Sequence, residues 1–410
     1  MPARPLPRLA LNLLIALLAF LLSLTALELI VRQFYYPVDS PFNHRIPDPT
    51  LGWRLEPNVR FTNQTTEFRV RVAYNSRGWR DVEHRLNRPE NVFRIVVVGD
   101  SFMEAYSVEL ADSFARQLER MIRASGRENV EVINLGVGGY GTLQEYLAFV
   151  EEGLLYDPDL VLVGFYVAND VRNNSYELES LASGGDSLKV RSRPFLEPGG
   201  SDDWQVTLVD YEGARQRFEE RRREQEARPW WQKTALYLLY EEGLQRRGQP
   251  PADPDRPERW VIPGYDRRVW LGVHMCEEPP EYTDAWRLTE RILARFNDDA
   301  EAAGARLVVF TVPAWHEVDP DYMALVLSTT GEREAYCLES APGYDRLGAV
   351  LAQYDIPLID LLPAFRDTLR SGHQRLFRTS DRHWNASGHA LAAWEVYQAL
   401  DAEGLLPPPE

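Results

Sequence analysis

The sequence predicts an α/β protein: a parallel sheet with helices on both faces, preceded by an amino-terminal transmembrane helix. Three features carry this expectation. From residue 91 onward, short runs rich in β-branched residues alternate with longer amphipathic stretches, the order that gives right-handed crossovers and a parallel sheet. One such run, Phe93-Arg94-Ile95-Val96-Val97-Val98, has the composition of a strand buried on both faces and leads straight into Gly99-Asp100-Ser101. At the start of the chain, residues Leu9 to Leu27 are apolar apart from Asn12, Ser23 and Thr25.

About 20 apolar residues span a bilayer as a helix. Arg4 and Arg8 precede the run, so the positive-inside rule holds the start in the cytoplasm and sends the rest outward. A cleaved signal peptide is the rival reading. Its apolar core is roughly 7–15 residues and ends in a small-x-small site, which Leu24-Thr25-Ala26 matches poorly. Residues 1–34 are therefore expected to be an uncleaved single-pass anchor, with the remainder periplasmic or extracellular. Residues 35–90, with proline, turn residues and alternation such as Phe68-Arg69-Val70-Arg71-Val72, are expected to form a small β-rich lead-in.

A single domain is expected over 91–404. Strands are placed near 93–98, 130–134, 159–166, 305–311 and 356–360, and helices near 112–125, 142–154, 284–303, 343–354 and 386–400. Gly126 and Gly304 suit helix C-caps, and Asn385 suits the N-cap of the last helix. Residues 172–282 break the rhythm and read as an insertion beside the ligand-binding end of the sheet. Within it, Pro229-Trp230-Trp231-Gln232-Lys233 leads into Ala235-Leu236-Tyr237-Leu238-Leu239-Tyr240, a helix that either packs on its own domain or touches lipid.

Strand ends carry the chemistry. Ser101 follows the first buried strand, and in open α/β sheets ligands bind at the carboxyl ends of strands. A serine hydroxyl is a weak nucleophile until a base stands within hydrogen-bond reach, and a histidine held by an acid serves as that base. Asp381-Arg382-His383 supplies both in one turn-rich segment. Between them, Asn134-Leu135-Gly136-Val137-Gly138-Gly139-Tyr140-Gly141 is a glycine-rich turn whose backbone N–H groups could face a ligand. Asn169, after the run Leu160 to Phe165, offers an uncharged side-chain donor.

In this order the blocks closely resemble the SGNH hydrolases, also called the GDSL family, over roughly residues 93–175 and 283–400. The resemblance implies a flavodoxin-like three-layer sandwich around a five-stranded parallel sheet. It implies Ser101 as nucleophile, His383 as base and Asp381 as orienting acid. The oxyanion donors would be the Ser101 N–H, the Gly139 N–H and the Asn169 side chain. The widespread pattern places the acid three residues before the histidine, at Ser380. Asp381, two before, is instead similar to the Asp-x-His-Trp-Asn variant of membrane-anchored bacterial members and alginate-type O-acetyltransferases. Asp48 to Trp53 and Asn75 to Asp81 also resemble segments that precede the first block in anchored members, where packing on the domain is their expected role.

The implied activity is a serine-dependent ester hydrolase acting outside the membrane on O-acyl, chiefly acetyl, esters of carbohydrate, without a cofactor. An O-acetyltransferase for a cell-envelope or exported polysaccharide is an alternative, as is a non-catalytic anchored glycan-binding scaffold. Acidic residues outnumber basic ones 62 to 45, which disfavours nucleic acid as a partner because phosphates call for clustered cations. Cys276 and Cys337 could pair in an oxidising compartment or remain as two buried thiols. No metal site is expected: of seven histidines only His383 and His389 fall near a motif, and His44, His84, His274, His316 and His373 have no acidic or serine context that raises them above surface or satisfied core residues.

Overall fold

A computed structural model describes residues 8–65, 67–182, 190, 192–197, 199, 204–208, 210–248, 267–328, 333–372, 375–379 and 381–409. The amino-terminal helix runs Arg8–Phe34, and its Ala10–Phe34 portion, whose most apolar 18-residue stretch has mean hydropathy 2.6 and is not buried against the protein, is long and apolar enough to cross a membrane. Near its end, Glu28 accepts the N–H groups of Ala235 (2.9 Å) and Leu236 (3.0 Å). It thereby caps the helix Ala235–Gly248 in the insertion, satisfying donors that a helix N-terminus leaves unpaired. Ala235 is buried, whereas Trp230, Leu239, Tyr240 and Leu244 are exposed, so this helix packs on its own domain only in part.

The lead-in is two antiparallel hairpins, β1 (Arg45–Asp48) with β2 (Gly52–Leu55) and β3 (Arg60–Gln64) with β4 (Arg69–Ala73). Asp48 turns the first hairpin by accepting the N–H groups of Thr50 and Leu51. Phe61, Val70, Val72, Tyr74 and Trp79 are buried in the same core as the main sheet. The lead-in is therefore integral to the domain.

Three strands of the main sheet follow, β5 (Phe93–Gly99), β6 (Val130–Asn134) and β7 (Leu160–Phe165). A small hairpin, β8 (Pro194–Leu196) with β9 (Val206–Leu208), lies in the insertion, and β10 (Arg306–Thr311) and β11 (Leu358–Ile359) complete the sheet. The five strands are parallel in the order β11-β10-β7-β5-β6. This is the flavodoxin-like arrangement, and the order reverses around β5, where the switch-point rule puts the ligand crevice. Ile95 to Val98 and Leu160 to Val163 are inaccessible to solvent or nearly so, which is why these runs are continuous in β-branched residues rather than alternating.

Every expected strand and helix of the domain is present, with shifted ends. The long helix starts earlier, at Pro280, and β11 is shorter than the expected 356–360. Pro357 has no N–H for the ladder, so this edge strand pairs over only two residues. Gly126 and Gly304 do adopt positive φ after their helices (88° and 82°). Asn385 caps the last helix, Ala386–Ala402, by accepting from Ser387 N–H (2.9 Å) and Gly388 N–H (3.0 Å). The helices Val167–Asn173 and Leu362–Arg370 were not anticipated. Cys276 and Cys337 are joined in a disulfide, their Cα atoms 4.8 Å apart.

Candidate active site

The turn after β5 places Ser101, the candidate nucleophile. Asp100 caps a short helix, Ser101–Glu104, by accepting the Phe102 N–H (2.9 Å), so Ser101 sits at its first position facing the crevice. Arg80 from the lead-in, fully buried, donates to the carbonyls of Glu104, Ala105 and Val108 where this helix ends. Glu104, also buried, accepts from the Tyr74 hydroxyl (2.8 Å) and the Gly138 N–H (2.6 Å). One carboxyl group thus ties the lead-in, the serine helix and the glycine turn together.

That turn closes with Tyr140 N–H donating to Val137 carbonyl (3.1 Å) and Gly139 at φ 80°, a conformation that a residue with a Cβ adopts at a cost. A Cβ added to Gly138 would lie 3.5 Å from that of Ser101 and 2.5 Å from Nη2 of Arg45. The backbone therefore approaches the nucleophile closely, with a lead-in cation alongside. Arg193 holds the Gly139 carbonyl (2.7 Å). The N–H groups of Ser101 and Gly139 have no acceptor among the described residues.

Asn169 stands in the helix after β7. Arg172 donates to its Oδ1 at 2.5 Å, which assigns Nδ2 to the opposite side, where it lies 3.4 Å from Asp100 Oδ2. Arg172 is itself buried, paired with Glu179 (3.2 Å) and stacked 3.9 Å over the Trp270 ring. The amide therefore points its donor at the Gly-Asp-Ser turn.

His383 closes the site from the irregular segment before the last helix. Its Nε2 is 2.7 Å from Ser101 Oγ, and its Nδ1 is 3.5 Å from Asp381 Oδ2. The other oxygen of Asp381 accepts the His383 backbone N–H at 3.1 Å. The 3.5 Å contact is an ion-pair distance, longer than a hydrogen bond. Burial alone would pull the imidazole pKa down, but Asp381, with Asp100 and Glu104, outweighs it and holds the pKa above its ordinary value. Asp170, the rival acid, is not the partner. It accepts the Tyr166 N–H (2.9 Å), and burial raises its pKa well above the carboxylate range. Phe102 and Tyr106 pack on the His383 ring (centroids at 4.9 and 5.2 Å). His389 is buried against Trp384 and kept neutral by burial, its pKa down to about 3. Ser380 lies outside the described residues.

The structure thus brings Ser101, His383, Asp381, Gly139 and Asn169 to one end of the sheet. It adds Arg172, three residues along the helix from Asn169, and Glu104, Tyr106 and Arg45, which no sequence signal marks because their contacts are distant in the chain.

Ser101 after the first sheet strand, a glycine turn, an asparagine and an Asp-x-His on a flavodoxin-like sheet form the arrangement that the resemblance to SGNH hydrolases implies. Residues 267–409 match the family model described as "SGNH hydrolase-like domain, acetyltransferase AlgX". Solved structures similar to this chain include a lipase/acylhydrolase from Enterococcus faecalis (14% identity, 78% of this chain and 99% of that one, TM-score 0.38). An acetyl xylan esterase, AlAXEase, is similar at 14% identity over 75% of this chain and 100% of its own (TM-score 0.37). A member of the lipolytic G-D-S-L family from Veillonella parvula DSM 2008 is similar at 12% identity over 76% and 99% (TM-score 0.36). Such scores are too low to carry function from one protein to another. No curated protein matches the chain.

Proposed function

We propose that this protein is a serine-dependent acyl-ester enzyme, anchored by its amino-terminal helix, that acts outside the cytoplasmic membrane on O-acetyl groups of carbohydrate. The observation that carries the reading is the 2.7 Å contact from His383 Nε2 to Ser101 Oγ at the carboxyl end of the sheet. His383 takes the hydroxyl proton as Ser101 Oγ attacks the ester carbonyl. The Ser101 N–H, the Gly139 N–H and Asn169 Nδ2 receive the negative charge that develops on the carbonyl oxygen, and Asp381 stabilises the imidazolium. Collapse expels the sugar alkoxide, which takes the proton from His383 and leaves acetyl-Ser101. Water then attacks to release acetate, or a second sugar hydroxyl attacks to complete a transfer.

The family description "acetyltransferase AlgX" supports acetyl as the acyl group and keeps transfer beside hydrolysis. The Cys276–Cys337 disulfide supports an oxidising compartment, and hence a domain on the outer side of the membrane. The test is release of acetate from peracetylated sugar by the full-length protein in detergent, with and without a glycan acceptor. Transfer predicts acetylated acceptor and less free acetate; hydrolysis predicts acetate release indifferent to the acceptor. Inertness of the wild-type protein toward all acetyl esters would favour the scaffold reading.

A further inference from the structure

We propose that His274, His316 and Glu317 form a binding site for one divalent transition-metal ion of the zinc class. In sequence His274 lies far from the other two, and neither histidine stood out. In the fold, one ring nitrogen of each histidine and a carboxylate oxygen of Glu317 come within 4.8 Å of one another. The buried His316 Nε2 has no hydrogen-bond partner among the described residues, and the buried His274 Nε2 and Glu317 Oε1 meet only each other, at 3.2 Å. Buried polar groups are almost always paired, and leaving one unpaired is costly. A single cation satisfies all three.

The geometry favours a metal over a plain ion pair. His274 Nε2 and Glu317 Oε1 are 3.2 Å apart, an ion pair that leaves the His316 imidazole, brought to the same point, without a partner. A tetrahedral zinc with ligand distances of about 2.0–2.2 Å sets neighbouring ligand atoms roughly 3.3–3.6 Å apart, close to the 3.2 Å pair and within the 4.8 Å that encloses all three atoms. Two imidazoles with one carboxylate suit zinc and its first-row neighbours, whereas calcium and magnesium prefer all-oxygen shells.

The surroundings orient the ligands. Glu317 Oε2 accepts from the Ala314 N–H (2.6 Å) and the Tyr344 hydroxyl (2.8 Å), which directs Oε1 to the histidines. Such supporting contacts are typical of ligating carboxylates. His274 ends a short turn, Gly272–His274, whose carbonyl at His274 accepts the Cys337 N–H (2.8 Å) beside the Cys276–Cys337 disulfide. His316 and Glu317 lie in the turn after β10, where the Pro313 carbonyl receives Trp384 Nε1 at 3.0 Å. Trp384 adjoins His383. A metal here pins the turn on which the base segment leans, a positioning role through which no acyl-transfer step passes. The site is independent of the acyl-ester reading.

The test uses full-length protein in detergent, stripped with EDTA, desalted and titrated with zinc chloride, with bound metal measured after gel filtration. The expected result is one zinc per chain, together with a raised Tm. Affinity should fall at least tenfold in His316→Ala and in Glu317→Gln and stay unchanged in His383→Ala. Cobalt(II) added to the stripped wild-type protein should give the visible absorption of four-coordinate nitrogen and oxygen ligation, which keeps the test decisive if a variant fails to fold. No retained zinc, no such cobalt spectrum, zinc persisting in both ligand variants, or zinc lost in His383→Ala would each overturn the assignment.

Discussion

Ser101, Gly139 and Asn169 stand at the carboxyl ends of three neighbouring buried strands, whereas Asp381 and His383 stand in an irregular turn ahead of the last helix. The first group is fixed many times over. Glu104 joins Tyr74 to Gly138, Arg80 gathers the carbonyls beyond the serine helix, and Arg172 sets the amide of Asn169. The second group is held in another way: Arg378 N–H donates to the His383 carbonyl (2.8 Å), Asn385 N–H to the Leu376 carbonyl (2.9 Å) and Trp384 Nε1 to the Pro313 carbonyl (3.0 Å), while Phe102 and Tyr106 pack on the His383 ring. Arg382, between acid and base, adopts φ 65°, a left-handed conformation costing about 1–2 kcal/mol for a residue with a Cβ. The Ser101, Gly139 and Asn169 side is thus braced largely by buried charged side chains, and the Asp381 and His383 side by backbone bonds and aromatic packing around a turn.

If the site works as described, the largest effect comes at the junction of the two groups. Ser101→Ala should lower kcat by about 10⁴–10⁶-fold in an aryl acetate assay, with the residual rate due to the oxyanion donors alone. Asp381→Asn tests the turn. It should lower kcat by up to about 10⁴-fold by favouring the wrong imidazole tautomer. It should also move the pH profile. The base must be neutral to act, so its raised pKa puts the acid limb of kcat/KM above the ordinary histidine range. Without the Asp381 carboxylate, burial dominates and the limb should move to lower pH. A limb that stays in place would show that Asp381 is not the partner.

Smaller effects probe the strand-borne side. Asn169→Ala should cost about 10²–10³-fold in kcat with little change in KM, the signature of a donor used in the transition state. Tyr74→Phe removes only a brace: one buried oxygen of Glu104 loses its donor, so denaturant unfolding should report a loss of about 1–3 kcal/mol while kcat changes by less than roughly tenfold.

The same contrast explains what was legible in the chain. Ser101, Gly139 and Asn169 could be read because each follows a run whose composition already says buried strand, so sequence position and spatial position coincide. His383 could be read because Asp-x-His-Trp-Asn is a compact local signal with an N-cap behind it. Arg172, Glu104 and Arg80 could not, since their roles come from contacts across the fold and surface arginines and glutamates look the same in sequence. His274, His316 and Glu317 were hidden for that reason, and the Cys276–Cys337 bond stayed open because spacing does not report proximity.

The most direct test of the central claim is to trap the covalent intermediate. Full-length protein mixed with an aryl acetate, quenched in acid within the first turnovers and digested should yield an acetyl group on the peptide bearing Ser101, absent from Ser101→Ala. Turnover at the wild-type rate with no acetyl group on that peptide, or with acetyl carried by another residue, would contradict the account.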